Sequence, residues 1–213
     1  LLELSGQGTG SYPISVEDAP AKVAAAREAL WVDYAQDPSA GGLNQDGLAL
    51  YAILQNLSGG ERPLYPVAFG AYQDLLQGFV GSDGTVDGIL NGNIVDTSYL
   101  RYRFQSQQPG PNMPGSPNES GLTELEQGFN AIIPQSIPDN NVNPLRNDGP
   151  RLIPAINGEF DIPVVSLHNL GDLFVPFSMQ QIYLNRAIEA GNDDLLVQRA
   201  IRAVAHCDFT PDE

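Results

Sequence analysis

Apolar residues recur at helical spacing through the first part of the chain. An i, i+3, i+4 repeat predicts a helix that packs one face on a core and turns the other to water. The segments with this repeat run from Val23 to Tyr34, Leu48 to Leu54, Phe69 to Phe79 and Leu122 to Ile132. The sequence therefore predicts a helical region before any strand.

The residues that flank these segments supply signals that begin and end helices. Ser15 to Asp18 has a capping-box pattern, so the first helix is expected to begin there and run through about Ala35. The second helix should stop at Ser58, which two glycines follow, and the third near Gly81. Trp31 lies within the first helical pattern and is predicted to be a core residue.

Segments rich in proline, glycine and asparagine separate the helices from the last part of the chain. Residues 109–120 are predicted to be a loop, in which Asn118 or Ser120 is placed to cap the fourth helix. Residues 134–158 are again irregular, and only then does the composition turn to strand. We therefore predict a boundary near residue 158, with a helical, loop-rich region at 1–158 and an α/β region at 159–213.

The last region reads as strand, helix, strand. Residues 162–167 are apolar nearly throughout, which is typical of a strand buried on both faces of a parallel sheet. A helix is predicted from Ser178 to Ala190, ended by Gly191, and a second strand from Leu195 to Val204. A right-handed crossover makes the two strands parallel, so that both end at the same edge of the sheet. The predicted fold class is α/β.

An acid and a histidine follow these two strands. Gly171 should free the backbone in the turn that carries Asp172, and His206 lies just past the second strand. A neutral imidazole can take the proton of a serine hydroxyl, and a buried carboxylate can fix its tautomer. Alone, Asp172 would be interpreted as a turn cap and His206 as a hydrogen-bonded loop residue. Their order, acid before histidine, favours a catalytic pair.

At these residues the chain resembles the α/β-hydrolase family. Residues 171–176 (GDLFVP) are similar to the turn that bears the family's acid, and residues 206–210 (HCDFT) to its histidine loop. The resemblance implies that Asp172 is the acid and His206 the histidine of a Ser-His-Asp triad. It also implies that 1–158 is a cap region and 159–213 the end of the hydrolase core. The intact protein would then hydrolyse small-molecule carboxylic esters or amides through an acyl-enzyme, without a cofactor.

The family's nucleophile is missing from the pattern. It lies in Gly-x-Ser-x-Gly on a strand-to-helix elbow, and the sequence contains no such pentapeptide. The nearest matches surround Ser82 and Ser39, which follow or interrupt helices, and a His-Gly-Gly-Gly oxyanion loop is also missing. We therefore expect a C-terminal piece of a capped hydrolase that is inactive alone. Residues 210–213 (TPDE) resemble the start of a further helix, which also suggests a chain cut short.

An incomplete sheet implies a partner. Two parallel strands with apolar faces cannot bury themselves, so we predict a companion chain that carries the nucleophile, or self-association. The alternative is a non-catalytic binding or interaction module derived from the cap. Its apolar cleft would be lined by aromatic residues that are more simply explained as core: Tyr65, Phe69, Tyr72, Phe79, Tyr99, Tyr102 and Phe104.

Composition narrows the classes of partner. The net charge of −16, with Lys22 the only lysine, makes nucleic acid and anionic membranes poor partners. The same composition is typical of salty habitats, and equally of a GC-rich genome that prefers arginine. No apolar run reaches the roughly 18–20 residues that span a bilayer, so we expect a soluble chain without a membrane span, and leave open whether it is secreted.

Metal sites are not predicted. One cysteine, Cys207, with His168 and His206 cannot form the usual four-ligand zinc site. Residues 83–88 (DGTVDG) lack the full calcium-loop pattern and are interpreted as a turn. His168 lies inside the predicted strand and is expected to be a core residue. Cys207 is predicted to be a packing residue, since neighbours on an extended chain point in opposite directions.

Overall fold

A computed structural model describes residues 1–8, 17–80, 97–104, 110–111, 121–135 and 156–211. Within these ranges lie five α-helices and two pairs of strands, a mixed α/β arrangement. The elements are α1 (Ala19–Leu30), α2 (Gly47–Leu57), α3 (Tyr65–Gly78), β1 (Tyr102–Arg103), β2 (Gly110–Pro111), α4 (Glu124–Ile132), β3 (Val164–Asn169), α5 (Ser178–Ala190) and β4 (Leu196–Ile201). Ser15, Ser82, Asn118, Ser120 and the 83–88 segment lie outside the described residues.

Helix α1 ends earlier than the predicted Ala35. At Trp31 the backbone becomes extended, with φ −115° and ψ 155°, and forms an antiparallel bridge with Leu43. The next residue, Val32, donates its N–H to the Gly42 carbonyl at 2.9 Å. From Trp31 onward the backbone therefore pairs with residues 42–43 instead of continuing the helix. Trp31 is 2% exposed, which confirms the prediction that it is a core residue.

Helices α2 and α3 bring aromatic residues into the main hydrophobic cluster. Ser58 ends α2 as predicted, and α3 begins at Tyr65 with proline in its first turn and ends at Gly78. The buried members of the cluster are Leu30, Trp31, Leu50, Tyr65, Ala68, Phe69, Tyr72 and Leu173. Leu173 directly follows Asp172, so the predicted acid turn packs on the helices.

The seven aromatic residues proposed to line a cleft differ in burial, and Tyr102 is half-buried. Tyr65, Phe69, Tyr72 and Phe104 are buried, as expected of core residues. The exceptions are Phe79, which is 42% exposed, and Tyr99, which is 43% exposed. The described part of the chain therefore uses most of these rings for packing.

Helix α4 is capped by a different residue from those predicted. Thr123, rather than Asn118 or Ser120, accepts the Glu126 N–H, and Glu126 accepts the Thr123 N–H in return. This capping box stabilises the first turn by satisfying N–H groups that have no partner within the helix. A second Glu126 oxygen accepts the N–H of Phe104 at 2.6 Å, which ties α4 to β1.

Strands β3 and β4 are parallel, as predicted, with register Val164↔Leu196 through Asn169↔Ile201. Helix α5 has the predicted bounds and ends at Gly191, whose φ of 74° suits glycine. Strand β4 is shorter than predicted. It ends at Ile201 instead of Val204, because the Ala203 N–H turns back to the Ile201 carbonyl.

The prediction that β3 is buried on both faces is wrong for this chain. Helix α5 covers one face, where Gln180 bonds to both Ser166 and Gln198. On the other face Val165 is 67% exposed and its neighbour Val197 is 38% exposed. Val165 and Val197 therefore stand open beside the described elements, on a face that also carries the exposed Arg199. No helix in the described ranges has the length and apolar character needed to cross a membrane.

Candidate functional site

Asp172 and His206 are joined by a hydrogen bond at the carboxyl edge of the small sheet. His206 Nδ1 lies 2.6 Å from Asp172 Oδ2. The Asp172 side chain is 4% exposed, whereas that of His206 is 41% exposed. An ionised carboxylate only accepts, so Nδ1 carries the proton, and a neutral ring then has its lone pair at Nε2. The arrangement can orient a base, half open to solvent, on a buried acid.

The second carboxylate oxygen of Asp172 is held by its own turn. Oδ1 accepts the N–H of Phe174 at 2.8 Å and that of Val175 at 3.0 Å. Such Asx-type bonds fix the side chain to the backbone that follows it. Asp172 therefore has both predicted roles: Oδ1 caps its own turn, and Oδ2 is hydrogen-bonded to His206.

The backbone that leads to His206 is bonded to the backbone that leads to Asp172. Leu170 N–H donates to the Ile201 carbonyl at 2.9 Å, and Gly171 N–H to the Ala203 carbonyl at 3.0 Å. A Cβ on Gly171 would lie 2.8 Å from the Cα of Val204. Glycine is thus required by close approach of the two segments, rather than by the turn freedom that the sequence suggested.

Two side chains continue this series of bonds. The Tyr72 hydroxyl lies 3.2 Å from the Val204 carbonyl, and the Asn169 amide donates to the carbonyl of Ala205. Tyr72 also lies 3.5 Å from Oδ1 of Asp172. The two carbonyls directly before His206 are therefore bonded by donors from α3 and from the end of β3.

Tyr72 is a member of the site that the sequence does not single out, because it resembles the other aromatic residues expected in a core or an apolar cleft. Burial first, then the charge and hydrogen bond of Asp172, raise the pKa of Tyr72 to about 12. The phenol therefore stays protonated at neutral pH and can act as a donor. A signal was available, since a buried tyrosine hydroxyl needs a polar partner.

Aromatic rings line the exposed side of the pair. The Phe174 ring lies 5.1 Å from the imidazole of His206, edge to face, and 6.0 Å from the ring of Phe79. Phe174 is 48% exposed. An apolar surface thus adjoins the imidazole ring of the candidate base.

The remaining histidine and the cysteine have other roles. His168 is buried as predicted, with Nε2 donating to the Val175 carbonyl at 3.0 Å. Cys207 is exposed, so the prediction that it packs is wrong. Its φ of 54° places it in a turn, and the extended geometry on which that prediction depended does not occur.

Among the described residues no serine hydroxyl is hydrogen-bonded to His206, and Ser39 uses its oxygen to accept the Gly41 N–H. The described ranges also contain no group of His, Cys, Asp and Glu side chains that could hold a metal ion.

The described elements form a mixed α/β chain in which a buried carboxylate is hydrogen-bonded to an exposed imidazole. Comparison with known proteins finds similarity to an o-phthalyl amidase from Xanthobacter agilis, 38% identical over 56 residues. The matched stretch is 26% of this chain and only 12% of that protein, so the chain spans a small part of its length. This partial similarity suggests a hydrolase in general. No protein-family model matches the chain, and no solved structure matches it significantly.

Proposed function

We propose that the chain supplies the acid and the base of a Ser-His-Asp triad in an α/β-hydrolase that cleaves carboxylic esters or amides. The observation that carries the proposal is the 2.6 Å contact between His206 Nδ1 and Asp172 Oδ2. It places a buried carboxylate on one ring nitrogen and leaves the other available. The partial similarity to an amidase supports the same class of reaction.

In the proposed reaction, His206 Nε2 takes the hydroxyl proton of a serine as that oxygen attacks the substrate carbonyl carbon. Asp172 stabilises the imidazolium that forms. The imidazolium then gives its proton to the leaving alcohol or amine, and an acyl-serine remains. Nε2 next takes a proton from water as the water oxygen attacks the acyl carbon, and the imidazolium returns that proton to the departing serine oxygen, which releases the acid and restores the serine.

The serine is proposed to come from a companion polypeptide with a Gly-x-Ser-x-Gly elbow. The open positions Val165 and Val197, with Ile162 62% exposed beside them, support a partner that packs on this face of the sheet. In this proposal residues 1–158 form the cap and residues 159–213 the end of the core. Self-association is the other way to cover that face, and native mass spectrometry distinguishes the two.

We propose that the preferred substrates carry an aromatic acyl group. Phe174 stands beside His206 with nearly half of its surface exposed, and Phe79 extends the same surface. Offset or edge-to-face contacts between rings contribute about 0.5–1.5 kcal/mol beyond area burial. Benzoyl esters or amides should therefore be turned over with lower KM than acetyl ones, and Phe174→Ala should reduce that preference.

The test compares the chain alone with the chain purified together with its companion. The chain alone should not hydrolyse p-nitrophenyl esters, whereas the complex should, and a fluorophosphonate should label a serine of the companion. Asp172→Asn and His206→Gln should each reduce the rate at least about a thousandfold, as loss of a triad member does. Cys207→Ser is the matched control, because Cys207 adjoins His206 and is exposed.

Two results would contradict the proposal. One is ester hydrolysis by the pure chain that depends on Ser39 or Ser82. The other is a complex whose rate is unchanged by both Asp172→Asn and His206→Gln.

A further inference from the structure

We infer that Tyr72 is a positioning residue for the pair, and that its hydroxyl fixes the acid turn and the histidine loop relative to each other from helix α3. This inference rests on the proposed function of Asp172 and His206. It adds a third side chain, distant in sequence, on which the geometry of the pair depends.

The hydroxyl of Tyr72 lies between the two segments that it would connect. Its oxygen is 3.2 Å from the carbonyl of Val204 and 3.5 Å from Oδ1 of Asp172. With one proton it donates to one acceptor at a time. The shorter distance assigns the proton mainly to Val204, two residues before His206, and the weaker 3.5 Å contact with Asp172 Oδ1 forms when the hydroxyl turns toward the acid.

Helix α3 holds the ring that carries this hydroxyl in a fixed position. Tyr72 is 7% exposed, and Ala68 and Phe69 on the preceding turn are fully buried. Leu173, from the acid turn, belongs to the same hydrophobic cluster. The ring is therefore held by the core and not by the loops that it contacts.

The histidine loop needs such a contact because strand pairing stops before it. Strand β4 ends at Ile201, and Leu170 and Gly171 supply the last backbone donors to the loop. Beyond them, the carbonyls of Val204 and Ala205 are bonded by side chains. Removal of the Tyr72 hydroxyl should therefore loosen His206 without breaking the sheet.

The experiment uses the proton on His206 Nδ1 as a probe in the whole chain. A proton held by a carboxylate gives a strongly deshielded NMR signal that exchanges slowly with water. The titratable groups beside it are Asp172 on the acid turn, Tyr72 on α3 and the neighbouring Cys207. The signal is compared in wild type, Tyr72→Phe and Tyr65→Phe.

Tyr65→Phe is the matched control. It removes a buried hydroxyl from the same helix, but that hydroxyl donates to the Tyr51 carbonyl at 2.8 Å. We expect Tyr72→Phe to speed exchange of the Nδ1 proton at least about tenfold, the effect of losing one hydrogen bond near a charged group. Tyr65→Phe should leave the exchange rate unchanged. Equal rates in wild type and folded Tyr72→Phe would overturn the inference.

A second measurement needs no change at Tyr72. In Asp172→Asn the pKa of Tyr72 should fall below about 12, because the carboxylate contributes to its elevation. An unchanged Tyr72 titration would contradict the contact even if Tyr72→Phe does not fold. The outcomes also separate the two proposals, since a wild-type chain without the deshielded Nδ1 signal would contradict the catalytic pair itself.

Discussion

Gly171 and Val204 approach so closely that a Cβ on Gly171 would lie 2.8 Å from the Val204 Cα. The contact brings the acid turn against the histidine loop, and the hydrogen bond between Asp172 and His206 forms directly beyond it. The space at one backbone position therefore sets the distance between the two candidate catalytic residues.

Gly171→Ala should destabilise the chain by about 1–3 kcal/mol, the usual cost of overpacking. The added methyl meets backbone, which cannot rotate away. Gly128→Ala is the control. Gly128 lies inside α4 with nothing within 4 Å of an added Cβ, so alanine should stabilise by about 0.5–1 kcal/mol. Urea unfolding measures both, and a neutral Gly171→Ala would show that the segments separate at little cost.

Glu126→Gln should cost about 1–3 kcal/mol although the side chain keeps its shape. The buried carboxylate accepts the N–H groups of Phe104 and Thr123 with different oxygens, at 2.6 Å and 2.8 Å. An amide has only one oxygen. One of these two N–H groups would therefore face the NH2 group of the glutamine and lose its acceptor. Glu124→Gln, exposed in the same helical turn, should change stability by no more than about 0.5 kcal/mol. Equal effects in thermal unfolding would contradict this account.

The sequence predicted the features that depend on local chemistry. Helix α5 ends at Gly191 because glycine adopts the left-handed conformation there. The placement of Asp172 and His206 at one edge of the sheet followed from the predicted parallel strands, since parallel strands end at one edge. Both predictions depend only on short segments of the sequence and on the general rules for how strands are connected.

Features set by distant contacts were not predictable in the same way. Helix α1 ends at Leu30 because Trp31 pairs with Leu43, which periodicity within the helix does not reveal. The apolar pattern of β3 indicated burial, but Val165 has no cover among the described elements. The role of Tyr72 depends on residues about a hundred positions away along the chain.

Arg62→Met should destabilise the chain by about 2–4 kcal/mol, because a buried guanidinium supports the backbone just before the acid turn. Arg62 is 8% exposed and donates to the carbonyls of Leu170 at 2.6 Å and Gly60 at 2.9 Å. Methionine keeps the aliphatic stem but leaves both carbonyls without this donor. Chemical denaturation measures the loss. Arg62→Lys should recover only part of the stability that Arg62→Met loses, because lysine lacks the planar guanidinium group.

Arg27→Met is the matched control for Arg62→Met. Arg27 pairs with Asp74 at 2.9 Å, and the Asp74 side chain is 80% exposed. Exposed ion pairs contribute about 0–1 kcal/mol, and Arg27 also donates to Gln77 Oε1 at 2.6 Å, so this substitution should cost about 1–2 kcal/mol, less than Arg62→Met. A cost equal to that of Arg62→Met would contradict the importance that we give to burial.

Stability should fall between pH 10 and pH 12, and Tyr72 should account for part of the loss. Burial and the adjacent Asp172 raise the folded-state pKa of Tyr72 to about 12. Burial and the hydrogen bond to Asp74 raise that of Tyr34 to about 12. An unfolded tyrosine ionises near pH 10. The stabilising contribution is therefore complete below about pH 10 and is lost as the pH rises through the folded value of about 12.

Tyr72→Phe isolates the share of that loss due to Tyr72. Phenylalanine does not ionise, so the free energy of unfolding should fall less steeply from pH 10 to pH 12, by up to about 2 kcal/mol over the range. Urea unfolding at a series of pH values gives the slope. Tyr183→Phe serves as the control because Tyr183 packs its ring on Phe160 and has no part in the pair. If both variants lose stability as steeply as wild type, the Tyr72 phenol does not carry this pH dependence, and its contact with Asp172 must be weaker than the geometry implies.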